Sequence, residues 1–256
     1  MSLKGDTSTP IKDAHIFVLV HGLWGFPGHM VTVEKTLEQV LESANISEKI
    51  VTIRPSTFKS WRTYDGIKLC AERVLSELFY EIETLKEKDS LKVTKISFVA
   101  YSLGGLISRY AIGVLQELGF FDTVEPVVFA SFATPHVGVH FYQNNLFGPF
   151  ANSVGKRICG KSCTQLFIAD NEKLLKTLAD PEQVYYKGLE RFSERILLAN
   201  IRNDRSVAFY TSFITEYSPF DSWKNIKVKY LKDLPVMTVN SKEVQPEFVD
   251  IERCYE

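Results

Sequence analysis

"FVAYSLGGLISRY", residues 98–110, carries the reading of the whole chain. Phe98, Val99 and Ala100 end an apolar strand pattern that begins at Lys95. From Leu103 onward, Leu106, Ile107, Tyr110 and Ala111 repeat at helical spacing. Ser102 stands at the tip of the turn between them. Residues 100–104, Ala-Tyr-Ser-Leu-Gly, differ from the Gly-x-Ser-x-Gly nucleophile elbow only in Ala100, which is still small. The elbow needs small residues flanking the serine because a larger side chain would strike the neighbouring strand or helix. The amino end of the helix points at Ser102, where its unbonded N–H groups favour negative charge. The competing reading is an ordinary N-cap, a position serine often fills.

Outward from this turn the pattern repeats. "HIFVLV" (15–20), "KIVTIRP" (49–55), "KISFVA" (95–100), "PVVFASFA" (126–133) and "RILLANI" (195–201) read as strands. Residues 30–44, 67–85 and 103–118 read as helices with one apolar face. The alternation predicts a single α/β domain over 1–256: a mostly parallel sheet flanked by helices on both faces. In such sheets chemistry collects just beyond the carboxyl ends of the strands. His21, Ser102, His136 and Asp204 all follow strands. The stretch 138–194, richer in Gly, Asn and aromatics, interrupts the alternation and is expected to be a lid-like insertion. Residues 217–256 show weak strand-like patches and no closing element.

The totals narrow the classes. With 45% hydrophobic and 24% charged residues the composition is globular, and 30 basic against 31 acidic residues give nucleic acid no field to follow. Cys70, Cys159, Cys163 and Cys254 lack both density and paired spacing, so they read as reduced thiols of an intracellular protein, with no metal site. The first apolar run, "IFVLV", is far short of the roughly 18 residues of a membrane span. A cytoplasmic or peripherally attached protein is expected. "GKRICGKS" (155–162) matches the phosphate-loop pattern, with Lys161 and Ser162 in the phosphate and magnesium positions. Its setting opposes that reading, because no buried strand precedes it and no later strand ends in a magnesium-holding acid.

Two further segments extend the serine reading. Acyl transfer needs donors aimed at an oxyanion. The Leu103 backbone N–H is one candidate; the Leu23 N–H, in "HGLWG" (21–25) directly after the first strand, is the other. Asp204 follows the last strand, where an acid that orients a histidine belongs. Phe, Tyr and Trp concentrate in 138–155 and 207–223, either as an apolar rim or as a small second core.

On "HIFVLVHGLWGFPGHM", "ISFVAYSLGGLISRY", "FASFATPHVGV" and "CTQLFIADNEKLL" with "ANIRNDRSVAFYTS", the chain resembles the α/β-hydrolase lipases. Within these it is similar to the fungal and plant serine-esterase group that includes yeast lipid-droplet phospholipases. The resemblance implies a carboxylic-ester hydrolase acting on lipids at a membrane or droplet surface, with no cofactor. It implies Ser102 as nucleophile, Asp204 as triad acid, and Leu23 with Leu103 as oxyanion donors. One part is missing. In this fold the catalytic histidine follows the acid, yet the five histidines are 15, 21, 29, 136 and 140. Three explanations compete: a histidine beyond Glu256 in a longer natural chain, His136 as a substitute base, or a non-catalytic fold that binds lipid or a partner. The family carries a histidine in the same "ATPH" loop without using it as the base, which weighs against His136.

Overall fold

Five parallel strands form the body, in the order β2-β1-β3-β4-β5. They are β1 (Lys12–Val20), β2 (Lys49–Ile53), β3 (Leu91–Tyr101), β4 (Glu125–Phe132) and β5 (Glu194–Leu198). The computed structural model describes residues 12–44, 46, 48–139, 160–201, 204 and 206–215. It also describes the backbone of 226–231, 234–239 and 248–249, three strands in an antiparallel sheet of their own. The chain runs outward from β1 to β2, then returns to build β3, β4 and β5 on the other side. The strand order therefore reverses between β1 and β3, and a crevice opens beyond their carboxyl ends.

Seven consecutive residues of β1, Ala14–Val20, are buried, because helices cover the sheet on both faces. One face carries α2 (Ile67–Asp89) and α3 (Leu103–Glu117). The other is covered by α1 (Val31–Ser43), whose Val33, Leu37 and Leu41 pack on Phe17, Leu19, Val99 and Ala130. Helix α2 buries the stripe Ile67, Cys70, Ala71, Val74, Leu75, Leu78 and Leu85, each large side chain contributing about 1.5–3 kcal/mol. Four members of the expected helical faces depart from them. Phe79 of α2 is partly exposed and meets Phe120 edge-on, while Val40 and Ala44 at the end of α1 and Leu118 just after α3 face solvent.

Boundaries move where polar residues hide them. Helix α2 runs past Leu85 through a charged last turn to Asp89 and stops at Ser90, in the left-handed region at φ 53°. β3 begins at Leu91 rather than Lys95, since Leu91 and Val93 alternate inward before the continuous apolar run. The first part of the expected insertion, 140–159, lies outside the described residues. Its second part forms α4 (Gly160–Leu166), α5 (Leu174–Ala179) and α6 (Val184–Glu190). These belong to the body: Leu166, Leu174, Leu175 and Leu178 join the main core, and Gly188 of α6 lets that helix press on Ile112 of α3.

Candidate active site

The register of the sheet builds the turn at Ser102. Val20 of β1 pairs with Ala100, and Phe132 of β4 pairs with Tyr101, so the chain leaves three adjacent strands side by side. Ser102 adopts φ 53° and ψ −126°, a conformation that is costly for any residue with a side chain. Its neighbours hold it there. The Ser102 N–H donates to the Phe132 carbonyl (2.8 Å), and the Ser102 carbonyl accepts from the Gly105 N–H (3.0 Å) and the Thr134 hydroxyl (2.9 Å). A Cβ at Gly104 would strike the Val20 carbonyl, and one at Gly105 would strike Thr134. A Cβ at Gly22 would come within 2.8 Å of the Ser102 Cβ. These are the close approaches an elbow requires. The Ser102 side chain makes no capping hydrogen bond to α3, so the N-cap reading does not describe it.

Ser102 opens into a cavity of about 370 Å³ lined by Leu23, Leu103, Val139, Leu166, Asp204 and Val207, among others. The sequence candidates Ser102, Leu23, Leu103 and Asp204 are thus brought to one cavity. Helix geometry leaves the Leu103 N–H without an intrahelical partner. The Leu23 segment is shaped by a turn in which Gly25 N–H donates to Gly22 O (3.0 Å) and Trp24 sits at φ 55°, its N–H on the Thr63 hydroxyl (3.1 Å). Asp204 is held by its own loop: Oδ2 accepts from Asn200 Nδ2 (2.9 Å), and Oδ1 from the Ser206 (3.0 Å) and Val207 (2.8 Å) N–H groups. Among the described residues these bonds take three of a carboxylate's about four acceptor sites.

His136 is not brought to Ser102. It is buried, does not line this cavity, and both ring nitrogens are engaged, Nε2 with the Ser131 hydroxyl (2.9 Å) and Nδ1 with Arg109 (3.3 Å). Burial, with the Arg109 charge beside it, pulls its pKa down to about 3. Since Arg109 can only donate, Nδ1 is the acceptor and Nε2 carries the proton. His21 is fully buried with its ring stacked on Phe58, and burial lowers its pKa. His15 lies within the sheet on Ser97 (2.8 Å), and His29 lies against Phe26. His140 is outside the described residues. Among the described residues, therefore, no histidine reaches the serine.

The phosphate-loop segment resolves differently. Residues 155–159 are not described, while Lys161 and Ser162 open α4. Ser162 is buried and doubly used, donating to Thr63 O and accepting from Gly66 N–H. It clasps the two chain segments from a buried position, away from any open phosphate site. Among the described residues no cluster of three His, Cys, Asp or Glu side chains could hold a metal, and no helix is long and apolar enough to cross a membrane. Cys70 offers no rival nucleophile, since burial pushes its thiol up to about 12.

The sequence left two features of the rim unseen. Trp24 and Tyr101 line the cavity while largely exposed, and Phe26 and Trp61 are exposed on the adjoining loops. The Ser60 N–H on Gly25 O (2.8 Å) ties those loops together. "HGLWGF" gave the only available signal, two aromatics in a glycine turn with no helical or strand period. Of the two aromatic stretches, expected as a rim or a small second core, 140–155 and 216–223 lie outside the described residues, and Phe209 is buried.

The chain is 31% identical over 210 residues to "Putative lipase C4A8.10" of Schizosaccharomyces pombe, which covers 78% of this chain and 26% of that protein. It is 30% identical to "Putative lipase ROG1" of Saccharomyces cerevisiae, over 82% of this chain and 30% of that one. The chain thus spans between a quarter and a third of the length of these curated relatives. Among solved structures it is similar to phospholipase PlaB from Legionella pneumophila, at 15% identity and a TM-score of 0.48, over 77% of this chain and 41% of that one. Residues 10–216 match the family described as "Putative serine esterase (DUF676)", and the chain belongs to that family.

Proposed function

We propose that this chain is the core of a serine esterase that hydrolyses carboxylic esters of lipids, a phospholipase or an acylglycerol lipase, at a membrane or lipid-droplet surface. The observation that carries the reading is Ser102 itself. A serine held at φ 53° with an uncapping side chain, facing a cavity that also receives Leu23, Leu103 and Asp204, has no structural duty that would explain its strain. The relatives' names supply the direction toward lipid. The rim supports it: Trp61 is 74% exposed, Trp24 57% and Phe26 47%, with exposed Lys59 and Arg62 close to Trp61 in the chain. Aromatic side chains beside cations suit a lipid–water boundary.

In this reading the Ser102 oxygen attacks the ester carbonyl while its proton passes to a histidine. The oxyanion is held by the Leu23 and Leu103 N–H groups. The same histidine, now protonated, gives its proton to the departing alcohol, leaving an acyl group on Ser102. Water then attacks the acyl-enzyme and releases the carboxylic acid. Asp204 orients the histidine. A second reading, a hydrolase fold that binds lipid or a partner without turnover, is supported by His136, whose two ring nitrogens are engaged away from Ser102.

A fluorophosphonate probe followed by intact mass distinguishes the two. The test compares this chain, its Ser102→Ala variant, and the longest natural form of the protein. Labelling of the long form that vanishes in Ser102→Ala is the expected result. A long form that is folded yet unlabelled sinks the esterase reading and leaves the binding fold.

A further inference from the structure

Behind the 133–136 loop lies a second cavity, of about 330 Å³, that shares no lining residue with the one at Ser102. Its walls include Phe129, Leu189 and Leu197, and its mouth includes the exposed Ala179 and Ile214. Against these walls stands Arg109, only 6% exposed. Its guanidinium donates to the Leu178 carbonyl (2.7 Å) and to His136 Nδ1 (3.3 Å), both uncharged, and its Nε has no partner among the described residues. Among the described residues no acidic side chain lines the cavity, and the other charged lining residue is a second cation, Arg195. A buried charge is normally paired, since burial without a counter-ion is costly.

We propose that this cavity binds a free aliphatic carboxylate, its head on Arg109 and its chain along Phe129, Leu189 and Leu197. A planar guanidinium matches a carboxylate through paired N–H donors. The apolar walls accept a hydrocarbon chain, and the volume is at the small end of ligand pockets, so the chain is short or of medium length. A monoanion suits one buried cation better than a phosphate dianion, whose second charge would have to be desolvated as well. The site does not require Ser102 chemistry and stands apart from the esterase reading.

Titration of the 256-residue protein with carboxyl-¹³C octanoate, read by NMR, tests it. Saturable binding at one site is expected, unchanged in Ser102→Ala and at least about tenfold tighter than that of octan-1-ol. Arg109→Met should weaken binding by about ten- to a hundredfold, the usual loss of a charge-assisted hydrogen bond. Because Arg109 also holds Leu178 and His136, that variant could misfold. Ala179→Trp, which closes the mouth from an exposed position, is therefore the second variant and should abolish binding while circular dichroism and thermal midpoint are kept. Absence of binding, octan-1-ol binding equal to that of octanoate, or octanoate binding that survives Ala179→Trp each overturns the proposal.

Discussion

The turns after β3 and β4 leave neighbouring strands at the same edge of the sheet, and both hold a non-glycine residue at positive φ, Ser102 at 53° and Ala133 at 46°. They do opposite things with their polar side chains. After β3, Ser102 opens into a cavity with a side chain that caps nothing. After β4, His136 turns inward, and Ser131 and Arg109 occupy both its ring nitrogens. Two residue types with the chemistry of a nucleophile and a base thus lie at one sheet edge without meeting. Position beyond a strand end brings a residue to the right region. Whether it can act depends on which of its polar atoms the fold has already used.

The strongest way to break the comparison is at Gly104. In Gly104→Ala the new Cβ meets the Val20 carbonyl, a backbone atom that cannot swing aside. Overpacking there should lower the unfolding free energy by about 3 kcal/mol in urea titration, with loss of any Ser102 labelling. A change under 0.5 kcal/mol would mean that the strands are not as close as an elbow demands.

His136→Gln comes next. It unpairs groups around Arg109 and Ser131, and a loss of about 2 kcal/mol at pH 7 is expected. Labelling of Ser102 per folded molecule, where the protein labels at all, should not change; if it falls with His136, the histidine reaches the serine after all. Acid sharpens this test. The His136 pKa of about 3 and that of His15, about 4, both brought down mainly by burial, lie below the ordinary 6.5. The unfolded chain therefore binds more protons between those limits. The neutral-histidine contribution is full above pH 6.5 and is lost as pH falls toward 4 and then 3. Each histidine should add about 1.4 kcal/mol per pH unit to the slope, and His136→Gln should remove one such increment.

The difference between the two turns also marks what the sequence could reveal. Strand, turn and helix around Ser102 are local, and their periods carry them: β1, β3, β4 and α3 fall within a few residues of expectation. The Leu23 and Asp204 positions followed from strand ends, and the structure brings both to the Ser102 cavity. The occupation of His136 did not follow, because it is decided by Arg109, 27 residues earlier in the chain. Ser162 was hidden in the same way: its partners Thr63 and Gly66 lie nearly a hundred residues away, and no local pattern announces them. Helices α5 and α6 are six and seven residues long, too short for a 3.6-residue period to stand out from loop composition.

The smallest expected effects separate strain kept for chemistry from strain kept for routing. At Ser102 the φ, ψ pair is nearly restricted to glycine, so Ser102→Gly relieves roughly 1–3 kcal/mol of strain. The greater freedom of glycine in the unfolded chain takes back about 0.4–1 kcal/mol. A net gain of about 1 kcal/mol is expected, together with complete loss of labelling. Ala133→Gly follows the same arithmetic from a weaker penalty, about 1–2 kcal/mol for a left-handed residue, and should gain about 0.5 kcal/mol with labelling kept. Paired thermal and urea melts of the two variants check both numbers. If Ser102→Gly proved destabilising, the hydroxyl would be holding the fold together, and Ser102 would be a structural residue like Ser162 rather than a poised one.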